Sequence, residues 1–253
     1  MQRFKVVLAY DGSAFCGFAK QEGLPSVEGK LEQALLSLGI ASPILAAGRT
    51  DRGVHASCQV ISFATHLPID CAKLAHYLPA KLAPHIVCQA ISPAPLNFHP
   101  RFWALKRAYR YVLAPKVPNP FLTRYIAPHA HGSLHDLQKA LDLFVGTHDF
   151  RYFCKQGSDP KSTIRTIYKA SCYAYAICNL PCVVVVVEAN AFLRAQVRLM
   201  VGAALACSLG KMSLSDLSDQ IGLKRHIYRM PLAPEGLILS RVFYGDSLSK
   251  FQL

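Results

Sequence analysis

The sequence predicts an α+β fold made of two subdomains, residues 1–100 and 101–253. Three observations carry that expectation. Over the first hundred residues, short apolar runs of strand length alternate with helically spaced apolar positions, in the order β-α-β-α-β. The second half shows a β-α-β-β-α-β order of its own, with no internal sequence repeat and no low-complexity segment. A length of 253 residues suits one large domain or two small ones, and either can bury a core.

The elements follow in order. Residues 4–10 read as a strand that enters a turn at Asp11-Gly12-Ser13. Ser26 is placed to cap a helix carrying Val27, Leu31, Leu35 and Leu38, ended by Gly39. A strand is expected at 57–64, then a helix capped by Asp70 through Leu74 and Leu78, then a strand at 86–92. The proline-rich stretch from Pro79 to Pro100 reads as an extended link between the halves. A long strand is expected over 101–113, and Ser133 begins a helix with Leu134, Leu137, Leu141 and Phe144 on its apolar side. Strands at 163–177 and 182–189 follow; the run Val183 to Val187 suits a strand buried on both faces. A helix over 192–208, a short helix begun by Ser213 and a last strand at 237–244 complete the chain.

The composition narrows the function. The formal charge of +13 points to a polyanionic partner. Residues 1–100 carry a net +2 and residues 101–253 a net +11, so most of the attraction for nucleic acid is expected from the second half. A basic chain can also bind acidic membranes, but no polybasic amphipathic helix supports that reading. The apolar runs are too short to span a bilayer, and the N-terminus has no signal-peptide pattern, so a cytoplasmic location is expected. The nine cysteines include no C-x-x-C pair, which fits reduced thiols, and no Cys/His set has metal-ligand spacing. No metal and no cofactor is therefore expected.

Ala47-Gly48-Arg49-Thr50-Asp51-Arg52-Gly53-Val54-His55-Ala56 is the most informative stretch. Gly48 and Gly53 free the backbone to form a tight loop. Arg49 and Arg52 flank Asp51 and favour its ionised form. Asp51 is either a nucleophile or electrostatic group for an anionic substrate, or a turn aspartate paired with an arginine. His55 reads as a hydrogen bonder that stabilises the loop. Tyr109 lies on one strand face with Arg107 and Tyr111, while Arg110 lies on the other. Its ring can stack on an unstacked base or belong to the core. Arg198 follows Arg194 by four, on one face of the expected helix; it can hold a carboxylate, contact a phosphate or face solvent. Arg101, Lys106, Arg107, Arg110, Lys155, Lys161 and Arg165 together suggest RNA backbone contacts, and Arg49 can bind a phosphate or assist base flipping.

The Asp51 loop resembles the Gly-Arg-Thr-Asp-x-Gly-Val-His motif of the tRNA pseudouridine synthase A family, and the resemblance runs along nearly the whole chain. It includes Tyr10-Asp11-Gly12-Ser13, Gly17-Phe18, Gln59 to Phe63, Phe98-His99-Pro100-Arg101-Phe102 and Lys106-Arg107-Ala108-Tyr109-Arg110-Tyr111. Gly146 to Phe150, Asn190 to Leu193, Val197-Arg198 and Glu235-Gly236-Leu237 continue it in order. Phe18-Ala19 and Arg194-Ala195-Gln196 depart from the family pattern.

The resemblance implies a pseudouridine synthase fold: two ferredoxin-like or RNP-like α+β subdomains with joined antiparallel sheets and a basic central cleft. It implies a homodimer that isomerises uridine to pseudouridine at positions 38–40 of the tRNA anticodon arm, without metal or cofactor. In that reading Asp51 is the catalytic nucleophile, Tyr109 stacks on the target uracil and helps remove its C5 proton, and Arg198 holds the carboxylate ionised. Arg49, Arg107, Arg110 and Leu237 are the implied further substrate contacts. Asp51 can attack C1′ or C6 or move a proton from the sugar, and the residues leave these routes open. A tRNA-folding chaperone fits the basicity and Tyr109 but gains nothing from an anion in a phosphate-binding cleft. A glycosidase lacks a second carboxylate with an acid role.

Overall fold

The structure is a computed structural model that describes residues 1–157 and 160–245. It is a mixed α+β structure with five α-helices among the described residues, and it divides into two units. One unit comprises Met1–Lys106 and the chain from Ile238 onward; the other is Arg107–Leu237.

The first unit begins with β1 (Gln2–Tyr10), a 3-10 turn at Gly12–Ala14 and α1 (Val27–Leu36). β2 (Leu45–Ala46), β3 (His55–Thr65), α2 (Cys71–Leu82) and β4 (Ile86–Ala94) follow. β1 is flanked by β3 and β4, antiparallel to both, with registers running from Gln2 opposite Thr65 and from Arg3 opposite Ala94. Both helices pack on one sheet face. Leu31 and Leu35 of α1 and Leu78 and Leu82 of α2 line one apolar layer with Val6, Leu8, Ile61 and Phe63.

The stretch from Pro79 to Pro100 is not an extended link. Pro79 lies inside α2, where burial of Leu74, Leu78 and Leu82 outweighs the lost backbone donor. The next segment pairs along β1 as β4, and its Pro93 sits opposite Phe4. Among the described residues β4 is an edge strand, the position in a sheet that tolerates a proline.

The second unit runs through β5 (Lys106–Ala114), β6 (Ala127–Pro128), α3 (Leu134–Asp142), β7 (Gly146–Asp149), β8 (Ile164–Ile177) and β9 (Leu180–Ala189). α4 (Gln196–Ser208) and α5 (Leu214–Ile221) complete it. β9 pairs antiparallel with β5 on one side and β8 on the other. Val183, Val184, Val185 and Val187 are buried, as a strand covered on both faces requires. Cys178 and Asn179 join β8 to β9 with φ of 48° and 62°, a two-residue hairpin turn. The last strand, β10 (Leu237–Phe243), returns to the first unit, where Ile238 and Leu239 pair in parallel with His55 and Ala56.

Ser26, Asp70, Ser133 and Ser213 each accept a backbone hydrogen bond at the start of a helix, and Ser213 forms a reciprocal capping box with Asp216. Two expected boundaries shift by about four residues or more. The strand expected from residue 101 begins at Lys106, because His99–Trp103 folds as a turn in which the Trp103 N–H donates to the His99 carbonyl at 3.0 Å. The helix expected from residue 192 begins at Gln196, after Ala195 at φ 59°.

Candidate active site

The Asp51 loop is fixed by neutral, buried groups. Tyr10 ends β1 with its hydroxyl 2.8 Å from the Thr50 hydroxyl, and both residues are buried. Gln59, fully buried on β3, donates to the Gly48 carbonyl at 2.8 Å and to the Tyr10 hydroxyl at 3.4 Å. A buried hydroxyl needs such partners, since an orphaned one costs about 1–3 kcal/mol. Burial pushes the Tyr10 phenol up to about 12, against the opposing hydrogen bonds of Thr50 and Gln59, so the anchor is uncharged at neutral pH.

Backbone contacts complete the loop. The Val54 N–H donates to the Asp51 carbonyl at 3.1 Å, and Gly53 lies between them at φ 78°. Gly17, at φ 108°, lies against the loop; a Cβ there would meet the Thr50 carbonyl at 3.1 Å. The Phe18 N–H donates to that same carbonyl at 3.0 Å. Gly48 behaves otherwise than expected: it keeps an ordinary negative-φ backbone and a Cβ there would meet nothing within 4 Å. Of the two loop glycines, Gly53 alone uses the left-handed region. Asp51 is partly exposed, and Arg49 and Arg52 are exposed.

His55 ties the loop to the end of β1. Its Nδ1 lies 3.0 Å from the Gly12 nitrogen and 3.3 Å from Asp11 Oδ1. The same nitrogen thus faces an amide donor and a carboxylate acceptor, and its tautomer decides which of the two it serves. Gly12 has no room for a side chain, because a Cβ would lie 2.1 Å from the Val54 carbonyl oxygen.

The second unit holds two further groups of expected site residues. Tyr109 on β5 is partly exposed and meets Phe192 edge-on, with ring centroids 5.1 Å apart at 88°. Arg107, on the same strand face, is buried and donates to the Asn190 carbonyl at 2.6 Å. Asn190 in turn accepts from Thr166 and Ala191 through its side-chain oxygen, which fixes the turn that carries Phe192. Arg110 is exposed on the opposite face of the strand.

Arg198 lies in the first turn of α4, partly exposed, and its Nε donates to the Leu232 carbonyl at 2.6 Å. It also donates to the Tyr111 hydroxyl, which itself donates to the Ala233 carbonyl. Burial, the largest influence, pushes the Tyr111 phenol upward. Arg194 does not share a helix face with Arg198, because it precedes the helix and is exposed. Gln196 explains the late start: its buried side chain accepts from the Leu193 N–H at 2.8 Å and closes the turn before the helix begins. Leu237 is buried just after Gly236, where φ is 79° and a Cβ would lie 2.3 Å from the Val112 carbonyl oxygen.

Tyr10, Thr50, Gln59 and Tyr111 all stand in blocks that carry the family resemblance, but the sequence assigns them no role; for Gln59 the signal is a polar residue inside the apolar run of β3. Among the described residues, no group of three or more His, Cys, Asp or Glu side chains could hold a metal ion. No helix among them is long and apolar enough to cross a membrane.

A family model described as tRNA pseudouridine synthase matches residues 6–103 and 140–245. The match takes in Arg49, Asp51, Arg198 and Leu237; Tyr109 lies between its two parts. The chain is 46% identical over 244 residues to tRNA pseudouridine synthase A of Helicobacter pylori (strain ATCC 700392 / 26695), covering 96% of this chain and 100% of the relative. It is 45% identical to the protein of that name from Helicobacter acinonychis, with the same coverage. With the Helicobacter hepaticus protein it shares 43% identity over 251 residues, again covering 96% and 100%. A solved Cbf5-Nop10-Gar1 complex matches 95% of this chain and 50% of that chain at 13% identity and a TM-score of 0.34, a likeness too slight to carry an argument.

Proposed function

The chain belongs to the tRNA pseudouridine synthase family and is an isomerase acting on tRNA uridine; we propose that it acts at positions 38–40 of the anticodon arm, in the cytoplasm, as a homodimer. The observation that carries the site assignment is the Asp51 loop. Its anchors, Tyr10, Thr50 and Gln59, are buried and neutral, and the carboxylate remains partly exposed beside two exposed arginines in the sequence. A loop built only to turn the chain has no need of so firm an anchorage.

The reaction conserves atoms. The C1′–N1 glycosidic bond breaks, the uracil turns, C5 bonds to C1′, the C5 proton leaves and N1 gains a proton. Asp51 is the nucleophile or proton carrier that starts this sequence, whether at C1′, at C6 or on the sugar. Tyr109 stacks on the uracil and supports removal of the C5 proton, with Phe192 fixing its ring. Arg198 supplies a guanidinium fork for an anionic group of the reaction, its plane set by Leu232 and Tyr111. Arg49 and Arg110 meet phosphates. Arg107 serves substrate binding through the Asn190 turn, and Leu237 supplies apolar contact.

A paired uridine must leave its stack, at a cost of a few kcal/mol, which binding along the rest of the tRNA offsets. The uneven charge suits a two-fold dimer, whose surface is longer than that of one protomer. The test is to treat unmodified tRNA with the pure protein and map pseudouridine by position. Modification at 38, 39 or 40 is expected; modification confined to another arm overturns the positional reading.

A further inference from the structure

Phe102 is 74% exposed, yet everything beneath it is fixed. Phe98, 1% exposed, packs edge-on against Trp103 at 5.5 Å and lies tilted against Tyr244 at 5.7 Å. The Tyr244 hydroxyl donates to the Pro100 carbonyl at 2.9 Å, and the Arg101 N–H donates to His99 Nδ1 at 3.2 Å. On this base the Phe102 ring lies against the His99 ring, centroids 4.2 Å apart, with the Arg101 guanidinium 5.9 Å from its centre. Burial, with help from the Arg101 and Arg3 charges, lowers the His99 imidazole below its ordinary value, so at neutral pH it is a flat neutral ring.

The same segment continues the pattern. The Leu105 N–H donates to the Phe243 carbonyl at 2.8 Å, and the Phe243 ring lies beneath Lys106 at 4.3 Å and Arg241 at 5.1 Å. Phe102 with Arg101, and Phe243 with Lys106 and Arg241, thus make two ring–cation groups in the first unit. The surrounding sequence holds no Asp or Glu between Asp70 and Asp136, while Lys and Arg occur eight times there. A rigid exposed ring among cations, without carboxylates in the intervening chain, fits a partner that offers both a π-face and negative charge. A single-stranded nucleic acid offers both at every nucleotide, a base beside each phosphate.

Resting on the reading of tRNA as substrate, we propose that Phe102 is a stacking platform for an unpaired base of the RNA. Arg101, Lys106 and Arg241 take the flanking phosphates. Phe102 has no part in the chemistry assigned to Asp51, Tyr109 and Arg198; it contributes to affinity and to the orientation of the RNA. Base stacking on an aromatic side chain commonly accounts for about fivefold to a hundredfold in affinity.

The test compares the dissociation constant of fluorescently labelled tRNA for the full chain and for Phe102→Ala, Phe102→Leu and Phe102→Tyr. Sedimentation of each protein accompanies the binding. The ring is exposed, so all three variants should fold, and circular dichroism melts check this. Ala and Leu should each weaken binding at least about fivefold, Tyr should bind within about twofold of the parent, and the loss should appear in KM. The Phe102→Ala salt slope should match the parent, because stacking releases no counterion, whereas Arg101→Ala should lower the slope by about one. Parent-like binding by Leu would show that only apolar bulk matters and would overturn the proposal. Loss of binding together with a halved sedimenting mass would make Phe102 a contact between copies of the chain, and would overturn it as well. If the parent forms no pseudouridine yet binds tRNA through Phe102, the catalytic reading fails and the platform stands.

Discussion

The Tyr10 hydroxyl lies 2.8 Å from the Thr50 hydroxyl in a buried layer, one residue before Asp51. That contact links the end of the first strand to the loop of the proposed nucleophile, so stability and activity should share it. Tyr10→Phe removes the hydroxyl and leaves Thr50 and Gln59 short of a partner. A loss of about 1–3 kcal/mol in unfolding free energy is expected, read by urea titration. The pH dependence has a definite sign. The folded phenol is held at about 12, above its ordinary value of 10.0, so the folded state keeps a proton that the unfolded chain has lost between those values. The contribution is complete below pH 10 and falls away as pH rises toward 12. Tyr10→Phe should therefore flatten the stability profile in that window relative to the parent; parallel profiles would contradict the burial argument.

Gly12 and Gly48 should respond oppositely to alanine. At Gly12 a Cβ would lie 2.1 Å from the Val54 carbonyl oxygen, and at Gly48 it would meet nothing within 4 Å. Gly12→Ala should cost about 1–3 kcal/mol or more and depress turnover, since it displaces the Val54–His55 end of the loop. Gly48→Ala should melt within about 0.5 kcal/mol of the parent and keep its turnover. Equal melting temperatures for the two variants would count against the close approach at Gly12.

Tyr109 separates ring from hydroxyl. Tyr109→Phe keeps the edge contact with Phe192 and should bind tRNA normally, but turn over about a hundredfold more slowly if the hydroxyl takes part in proton removal. Tyr109→Ala should lose both binding and turnover. Parent-like turnover by both variants, measured at saturating tRNA, would reduce Tyr109 to a strand residue.

Arg198→Lys keeps the charge and loses the fork. The Nε bond to the Leu232 carbonyl, 2.6 Å in the parent, has no counterpart in lysine. A fall in kcat of about tenfold or more is expected, with tRNA affinity changed by less than about threefold. A change in affinity alone would make Arg198 a phosphate contact.

These residues also mark how far the sequence could be read. The caps at Ser26, Asp70, Ser133 and Ser213 were legible because a short polar side chain before an apolar periodic run has a local use. The five valines announced a strand buried on both faces, and β9 is that strand. What local rules missed was decided by partners distant in sequence. Pro79 resembles a helix breaker until the burial of Leu78 and Leu82 is seen. The start of α4 is set by Gln196 reaching back to Leu193, which apolar spacing does not register. The Asp51 motif and the blocks that hold Tyr10 and Gln59 were visible from their residue types, but not that Tyr10 and Gln59 support the loop. Tyr10 and Gln59 lie 40 residues before and 9 residues after Thr50, brought together by strand pairing alone. Tyr111 stands in the block that carries the resemblance, but nothing in its neighbours along the chain announces that it accepts from Arg198.

The central claim is that Asp51 starts the isomerisation, and release of the C5 hydrogen tests it most directly. Purified parent and Asp51→Asn proteins would be given tRNA carrying tritium at uridine C5, with tRNA affinity measured alongside. The parent should release tritium in step with pseudouridine formation. Asp51→Asn should release none above background while binding tRNA within about tenfold of the parent, a difference of about 1.4 kcal/mol. Substantial release by Asp51→Asn would contradict the account.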